Sequence, residues 1–431
     1  MERLADRNGE DHASIETATQ RSIEEANLMY AAPRIAGSDV QCLAPTEHCP
    51  ESTASSTRNT YMDYAGGAHA DTPTTPTRKR QCLVNRHIGL QLPCLPDGWL
   101  TSSIASQTPS SFGKNFVLAP STGKLLEQLY PHMRDQHVKF VPESHTYYID
   151  GRPTTGSVTR LVHQFTQEFD ADDIIAKMRN GCRWPRAGYL RSELAEDCRL
   201  ALQKVPLADL VLQLWSAPER DEDAIEYAIH QMLRAEPSLR SWAESMCLCP
   251  AEIKEQWEDN RLKCANQGRW MHFQFESWLN QNSVECNTPE MQLFLSYVGS
   301  LENVDAFRTE WAIYGEHEQL AGTIDFVMRD ARGELVLVDW KRSKQLRHRY
   351  DSSTRMKKPL DHLPDCAGTH YRLQLNCYRY LLEKYYNYKV SGMRVVCTHP
   401  DNLSSAFVDE VPIMEKEVDA LMHYQRGLVS L

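Results

Sequence analysis

The chain has 431 residues, 41% of them hydrophobic, with a formal net charge of −11, which allows roughly two to four domains or one large domain with tails. That acidic balance argues against a protein that coats polyanions over its whole surface, and leaves room for a local basic groove. No stretch of ~18 apolar residues occurs and the first twenty residues are charged throughout, so no membrane span or secretory signal is expected and the protein reads as intracellular.

Residues 1–124 are expected to be mostly disordered. Within residues 50–80, ten of 31 are Ser or Thr and none is Leu, Ile, Val or Phe, too little apolar surface to offset ordering entropy. The string Thr72–Arg80 reads as a solvated linker, with a phosphorylated import signal as the alternative, and Leu83–Leu100 is apolar enough to dock on a folded body. Residues 125–260 read as a β-hairpin and helical subdomain. Val138–Gly151 is the hairpin, Ser157 is an N-cap, 171–180 is helical, 190–245 is helix-rich, and Pro250 opens a long helix. Residues 261–431 read as an α/β core. Strands are expected at Arg308–Gly315, Gly322–Asp330 and Glu334–Arg342, followed by a helix at His370–Tyr386, a strand at Gly392–Pro400 and a helix at Met414–Leu428. The thirteen cysteines are scattered and odd in number, which suits reduced thiols better than a disulfide framework or a zinc site.

The chemistry concentrates in GTIDFVMRDARGELVLVDWKR. Alternation along a strand puts Asp339 and Lys341 on one face, and Asp325 sits beside them across the hairpin. A buried acid and lysine at the end of an apolar strand are costly unless they have a task. Two converging carboxylates suit a hard divalent cation, and Lys341 is placed to act on a water or on developing phosphoryl charge. Trp340, between them, is expected to pack in the core on the opposite face.

With Gly322 and Asp325 before it and Gln374 and Tyr378 on a helix after it, this segment resembles the PD-(D/E)XK nuclease superfamily, and within it the RecB-like, lambda-exonuclease-like branch. A narrower similarity, from His145 and Tyr147 through Ser157–Thr159 to Phe169–Asp170, is to uncharacterised nuclease-like proteins of large DNA viruses, phages and protists. The resemblance implies an α/β, restriction-endonuclease-like core, a central mixed β-sheet flanked by helices, carrying a helical insertion. It implies a metal-dependent nuclease acting on DNA, with Mg²⁺ or Mn²⁺ held by Asp325, Asp339, His272 and the Trp340 carbonyl. Lys341 would be the catalytic lysine, Gln374 and Tyr378 would orient it or the scissile phosphate, and Glu310 matches a further acidic position. Ile324 replaces the usual proline before the first acid, and the second acid is Asp rather than Glu. An iron–sulfur cluster is not expected, because only Cys377 and Cys397 follow Gln374.

Directly after the catalytic strand, Lys341–Lys358 holds eight Lys or Arg against one Asp, in a chain that is acidic overall. Arg342, Lys344, Arg347, Arg349, Lys357 and Lys358 are therefore candidate phosphate contacts. The rival reading is a non-catalytic nucleic-acid-binding or assembly module on the same fold, which the intact Asp325, Asp339 and Lys341 set disfavours. No glycine-rich phosphate loop or nucleophile elbow supports a small-molecule enzyme.

Overall fold

The computed structural model describes residues 40–41, 89–96, 98–99, 109, 111–118 and 123–430, apart from 143, 285, 286, 345, 347–349, 403 and 404. The Thr72–Arg80 string and most of the expected disordered region lie outside these residues.

Three long strands form the spine: β7 (Val304–Gly315), β8 (Leu320–Asp330) and β9 (Leu335–Ser343). Every residue of β9 is buried, so it carries apolar side chains toward both faces instead of alternating. Strands β7, β8 and β9 pair antiparallel, and β9 pairs in parallel with β10 (Val390–Cys397) after a crossover through helix α10 (Ala367–Tyr385). Strand β11 (Phe407–Glu410) closes the far edge, giving the order β11-β10-β9-β8-β7 in a mixed sheet. At the other edge β2 (Leu90–Gln91) pairs in parallel with Val304 and Asp305 of β7, so the apolar part of the N-terminal region does dock. Gly89 is required there, since a Cβ would lie 1.4 Å from the Leu301 carbonyl oxygen. A two-residue strand, β1 (Val40–Gln41), pairs with the end of β9.

Helices cover both faces of the sheet. On one face α2 (Val158–His163), α10 and α11 (Glu415–Val429) pack Leu161, Tyr371, Leu375 and Leu421 against Ile313 and Ile324. On the other, α1 (Leu125–Leu129), α8 (Pro250–Leu279) and α9 (Pro289–Gly299) pack Leu126, Phe275 and Phe294 against Phe326 and Trp340. This is the expected sheet flanked by helices. The helical insertion has its own core, in which α3 (Ala171–Asn180), α4 (Glu196–Leu202), α5 (Asp209–Trp215), α6 (Glu222–Ala235) and α7 (Arg240–Ser245) surround Trp184, Val211 and Ile229. Helix α8 ties the two cores together: Ile253 lies in the insertion, Met271 and Phe275 under the sheet, and the helix runs through the division expected at residue 260.

The expected hairpin is β3 (Val138–Val141) and β4 (Thr146–Ile149), extended by β5 (Arg152–Pro153), with Tyr147 and Ile149 buried in the sheet's own core. Ser157 caps α2 as expected, accepting from the Arg160 N–H at 3.2 Å. Between them β6 (Gly156–Ser157) pairs in parallel with Leu320 and Ala321 of β8. The C-terminal half of β8 pairs instead with β9, from Arg329–Leu335 to Phe326–Val338. On the edge away from β7, strand β8 thus has β6 at one end and β9 at the other, and the sheet forks between them.

The β7–β8 turn is held by a buried charge. Glu318 is fully buried and accepts hydrogen bonds from Tyr380 at 3.0 Å, Lys384 at 3.0 Å, Arg426 at 2.9 Å and the Tyr385 hydroxyl. Those four donors lie on α10 and α11, so this carboxylate fastens the turn to two helices.

Candidate active site

Asp325 sits at the fork. One step past the last β8–β9 pair, the Trp340 N–H donates to Asp325 Oδ2 at 2.8 Å, so the carboxylate takes a bond that the ladder would otherwise make. The indole of Trp340 is buried on the far face, stacked on Phe326 and edge-on to Phe275 and Phe294, as strand alternation requires. Asp339 and Lys341 therefore share the near face. They are 2% and 1% exposed, and the Lys341 Nζ lies 2.9 Å from Asp339 Oδ2. The Lys341 ammonium also stands over the Tyr371 ring, 4.7 Å from its centroid.

Helix α8 brings His272 to the opposite side of Asp325. Its Nε2 donates to the Trp340 carbonyl at 3.0 Å, which turns Nδ1 toward Glu310 Oε1 and Asp325 Oδ2, each at 3.7 Å. One ligand atom from each of His272, Glu310 and Asp325 falls within 4.8 Å of the others. Two carboxylate oxygens and an imidazole nitrogen fit a divalent cation. Glu310 holds a left-handed backbone (φ 42°) in the middle of β7, a conformation that costs a non-glycine residue energy and that marks many functional sites. Asp339, expected among the ligands, lies 2.9 Å from the Lys341 ammonium, and Glu310, expected as a further acidic position, converges with His272 and Asp325. The Trp340 carbonyl, also expected as a ligand, accepts from His272 and so sets that ring's orientation.

The electrostatics match a site that binds a cation. Burial pushes the Asp325 carboxyl far above its ordinary range; His272 opposes this, while Asp339 and Glu310 add to it. Burial alone would lower His272, but Asp325 and Glu310 together raise it. In the metal-free protein the two groups therefore tend to hold protons that a cation would displace.

Helix α10 supplies the remaining wall. Gln374 Nε2 donates to the Tyr378 hydroxyl at 2.9 Å and to Thr159 Oγ1 at 3.3 Å. Burial raises Tyr378, and the nearby charges of Asp339 and Asp325 add to that shift. Gly322 is explained by this ring: a Cβ would lie 2.6 Å from Tyr378 Cε1. Sequence reasoning missed Tyr371, although it lies three residues before Gln374 and therefore on a neighbouring helix face. Thr159 and Tyr147 carried the narrower similarity but were assigned no role at the site; the Tyr147 hydroxyl is 2.8 Å from Thr323 Oγ1.

The expected phosphate contacts divide. Arg342 is buried, with its guanidinium on Glu290 at 2.8 Å and Gln267 at 2.9 Å, so it is a structural tie and not a surface cation. Lys344 pairs with Asp401 at 2.9 Å. Arg347 and Arg349 lie outside the described residues. Lys357 lines a groove beside the site, and Lys358 is exposed. Among the described residues no helix is long and apolar enough to cross a membrane.

No curated protein matches the chain. A family model does, over residues 160–428, more than half of the length and including every site residue above except Tyr147 and Thr159. The acids at the fork, the lysine two residues on and the match around them place the chain in the PD-(D/E)XK nuclease superfamily.

Proposed function

We propose that the chain hydrolyses phosphodiester bonds of DNA, using Mg²⁺ or Mn²⁺ held by His272, Glu310 and Asp325, with Asp339 and Lys341 beside it. The observation that carries this reading is the convergence of one imidazole nitrogen and two carboxylate oxygens next to a buried Asp–Lys pair. A bound divalent cation supplies Lewis-acid polarisation of a phosphoryl oxygen and acidifies a water. The residues do the positioning. The Trp340 N–H fixes Asp325, and the Trp340 carbonyl fixes His272. Asp339 holds the Lys341 ammonium where it can stabilise negative charge growing on the phosphoryl group. Gln374 and Tyr378, bonded to each other, act as positioning residues on the wall facing that lysine. DNA as the substrate follows from the RecB-like resemblance, and the acids with an imidazole favour Mn²⁺ as readily as Mg²⁺.

Plasmid and labelled oligonucleotides should be cut with Mg²⁺ or Mn²⁺ and left intact with EDTA. Calorimetric titration with Mn²⁺ tests the site independently of cleavage. Both raised groups must lose protons to bind metal, so Mn²⁺ affinity should rise from pH 6 to pH 8. The metal-free protein should show the opposite trend in stability. A group whose folded pKa is raised stabilises fully below its unfolded value, 3.8 for Asp325 and 6.5 for His272, and that contribution fades as pH rises. Asp325→Ala and Glu310→Ala should each abolish the Mn²⁺ heats. Unchanged heats in both variants, or an affinity flat across pH, would remove this centre from consideration.

A further inference from the structure

A groove of about 840 Å³ lies between the β3–β4 hairpin and α2, with Ser144, Tyr147, Ser157, Thr159, Arg160 and Lys357 in its lining. Two of its lining residues are bonded to residues at the site. Thr159 accepts from Gln374, and the Tyr147 hydroxyl bonds Thr323, two residues from Asp325. One wall is β6 and the start of α2, the elements that part from β9 at the fork. Hydroxyl side chains and cations of this kind are the usual partners of phosphate and sugar oxygens.

Two cations face the groove against one acid, Glu168. Among the described residues neither the Arg160 guanidinium nor the Lys357 ammonium has a carboxylate partner, unlike Arg342 and Lys344. The position of Lys357 is fixed by the fold: its N–H donates to the Phe165 carbonyl at 2.6 Å. Beside it, Gln167 donates to the Arg355 carbonyl at 2.8 Å and to Asp365 Oδ2 at 2.7 Å. The rings of His145 and Phe169 also line the groove, giving surfaces on which unpaired bases stack.

We propose that this groove holds a short run of a single nucleic-acid strand leading to the metal centre. The inference rests on the nuclease reading above and adds the form of the substrate at the site. A duplex keeps its bases stacked on each other and carries phosphates on two rails; a groove with stacking rings and one short line of cations fits one strand. The lining from Ser144 to Thr159 precedes residue 160, where the family match begins.

The test uses the full chain without divalent cation, so that nothing is cut. Binding of fluorescent single-stranded DNA, single-stranded RNA and duplex DNA is measured across salt concentrations for wild type and the Arg160→Gln, Lys357→Gln double variant. Mn²⁺ titration heats report separately on the metal centre. Two lost phosphate contacts at ~0.7 each should flatten the single-strand salt slope by about 1.4. The duplex slope should change less and the Mn²⁺ heats not at all. Equal loss on DNA and RNA strands would say that the groove reads phosphate alone; loss on one would name the sugar it accepts. An unchanged single-strand slope in a wild type that cleaves would overturn the groove assignment alone, as would a loss confined to duplex. A wild type that neither cleaves nor binds Mn²⁺ would overturn the nuclease reading, and the groove assignment with it.

Discussion

Lys341→Met is expected to slow cleavage by ~10²–10⁴ under single-turnover conditions, the range typical of a lost charge-stabilising or proton-transferring group. Binding of DNA should be nearly unchanged, because an ammonium that is 1% exposed and held by Asp339 can meet at most the one phosphoryl group at the centre, and adds little to the contacts that hold the rest of the strand. Methionine keeps an unbranched apolar stem of similar length in the buried position and removes the ammonium that stands over Tyr371. The substitution also leaves Asp339 buried without its cation, so the metal-free melting temperature should fall, and added Mn²⁺ should recover part of it. A variant that cuts at the wild-type rate would remove Lys341 from the chemistry and leave the acids without their usual companion. A variant that cuts slowly only because it binds weakly would give a normal rate at saturating DNA, which the single-turnover measurement separates.

Glu318→Ala carries the largest expected cost in stability. Burial alone would raise this carboxyl, but the hydrogen bonds from Tyr385, Lys384, Arg426 and Tyr380 hold it down to about 2, from an ordinary 4.5. A shift of that size corresponds to about 3 kcal/mol of stability at neutral pH. That agrees with the ~3–5 kcal/mol typical of breaking a buried ion pair. The drop in melting temperature should be on the order of 10 °C. The sign of the pH dependence is fixed: the contribution is present above pH 4.5 and is lost as pH falls toward 2, so wild type and variant should converge in acid. Equal melting temperatures at pH 7 would show that the turn is held by its packing and not by this carboxylate.

Strand β9 was legible in the sequence because burial and alternation act locally. A continuous apolar run followed by Asp339, Trp340 and Lys341 tells which side chains share a face, and the indole lies where that alternation puts it. The helix residues were legible through helical spacing combined with resemblance: His272 on α8, and Gln374 and Tyr378 on α10. What could not be read was convergence through tertiary structure. Glu310 lies 15 residues before Asp325, and only the pairing of β7 with β8 and the left-handed backbone at Glu310 bring it to His272. The basic run misled for the same reason. Composition shows charge, but not that Arg342 turns inward to Glu290. Helix α9 went unread although Thr288 and Pro289 signal its start, because the strands that follow drew the pattern. The edge strand β11 was too short to show a period.

The fork in the sheet bears on how this protein can be cut down for study. The recognisable family region begins at residue 160, which makes that position a tempting start for a shortened protein. A chain begun there would lack β6, and the backbone of Leu320 and Ala321 would lose its partner on the edge away from β7. It would also lack Tyr147 and Ile149, which fill the core beneath β8. An unpaired strand edge over an uncovered apolar surface invites other chains to pair with it. The smallest soluble unit therefore includes the hairpin at Val138, and also the segment from Leu125 to His137, through which Asp135 bonds Arg308 at 2.8 Å and Trp311 at 2.9 Å. A boundary drawn by family likeness falls inside the folding unit, and aggregation of such a fragment would reflect a missing strand, not an unstable core.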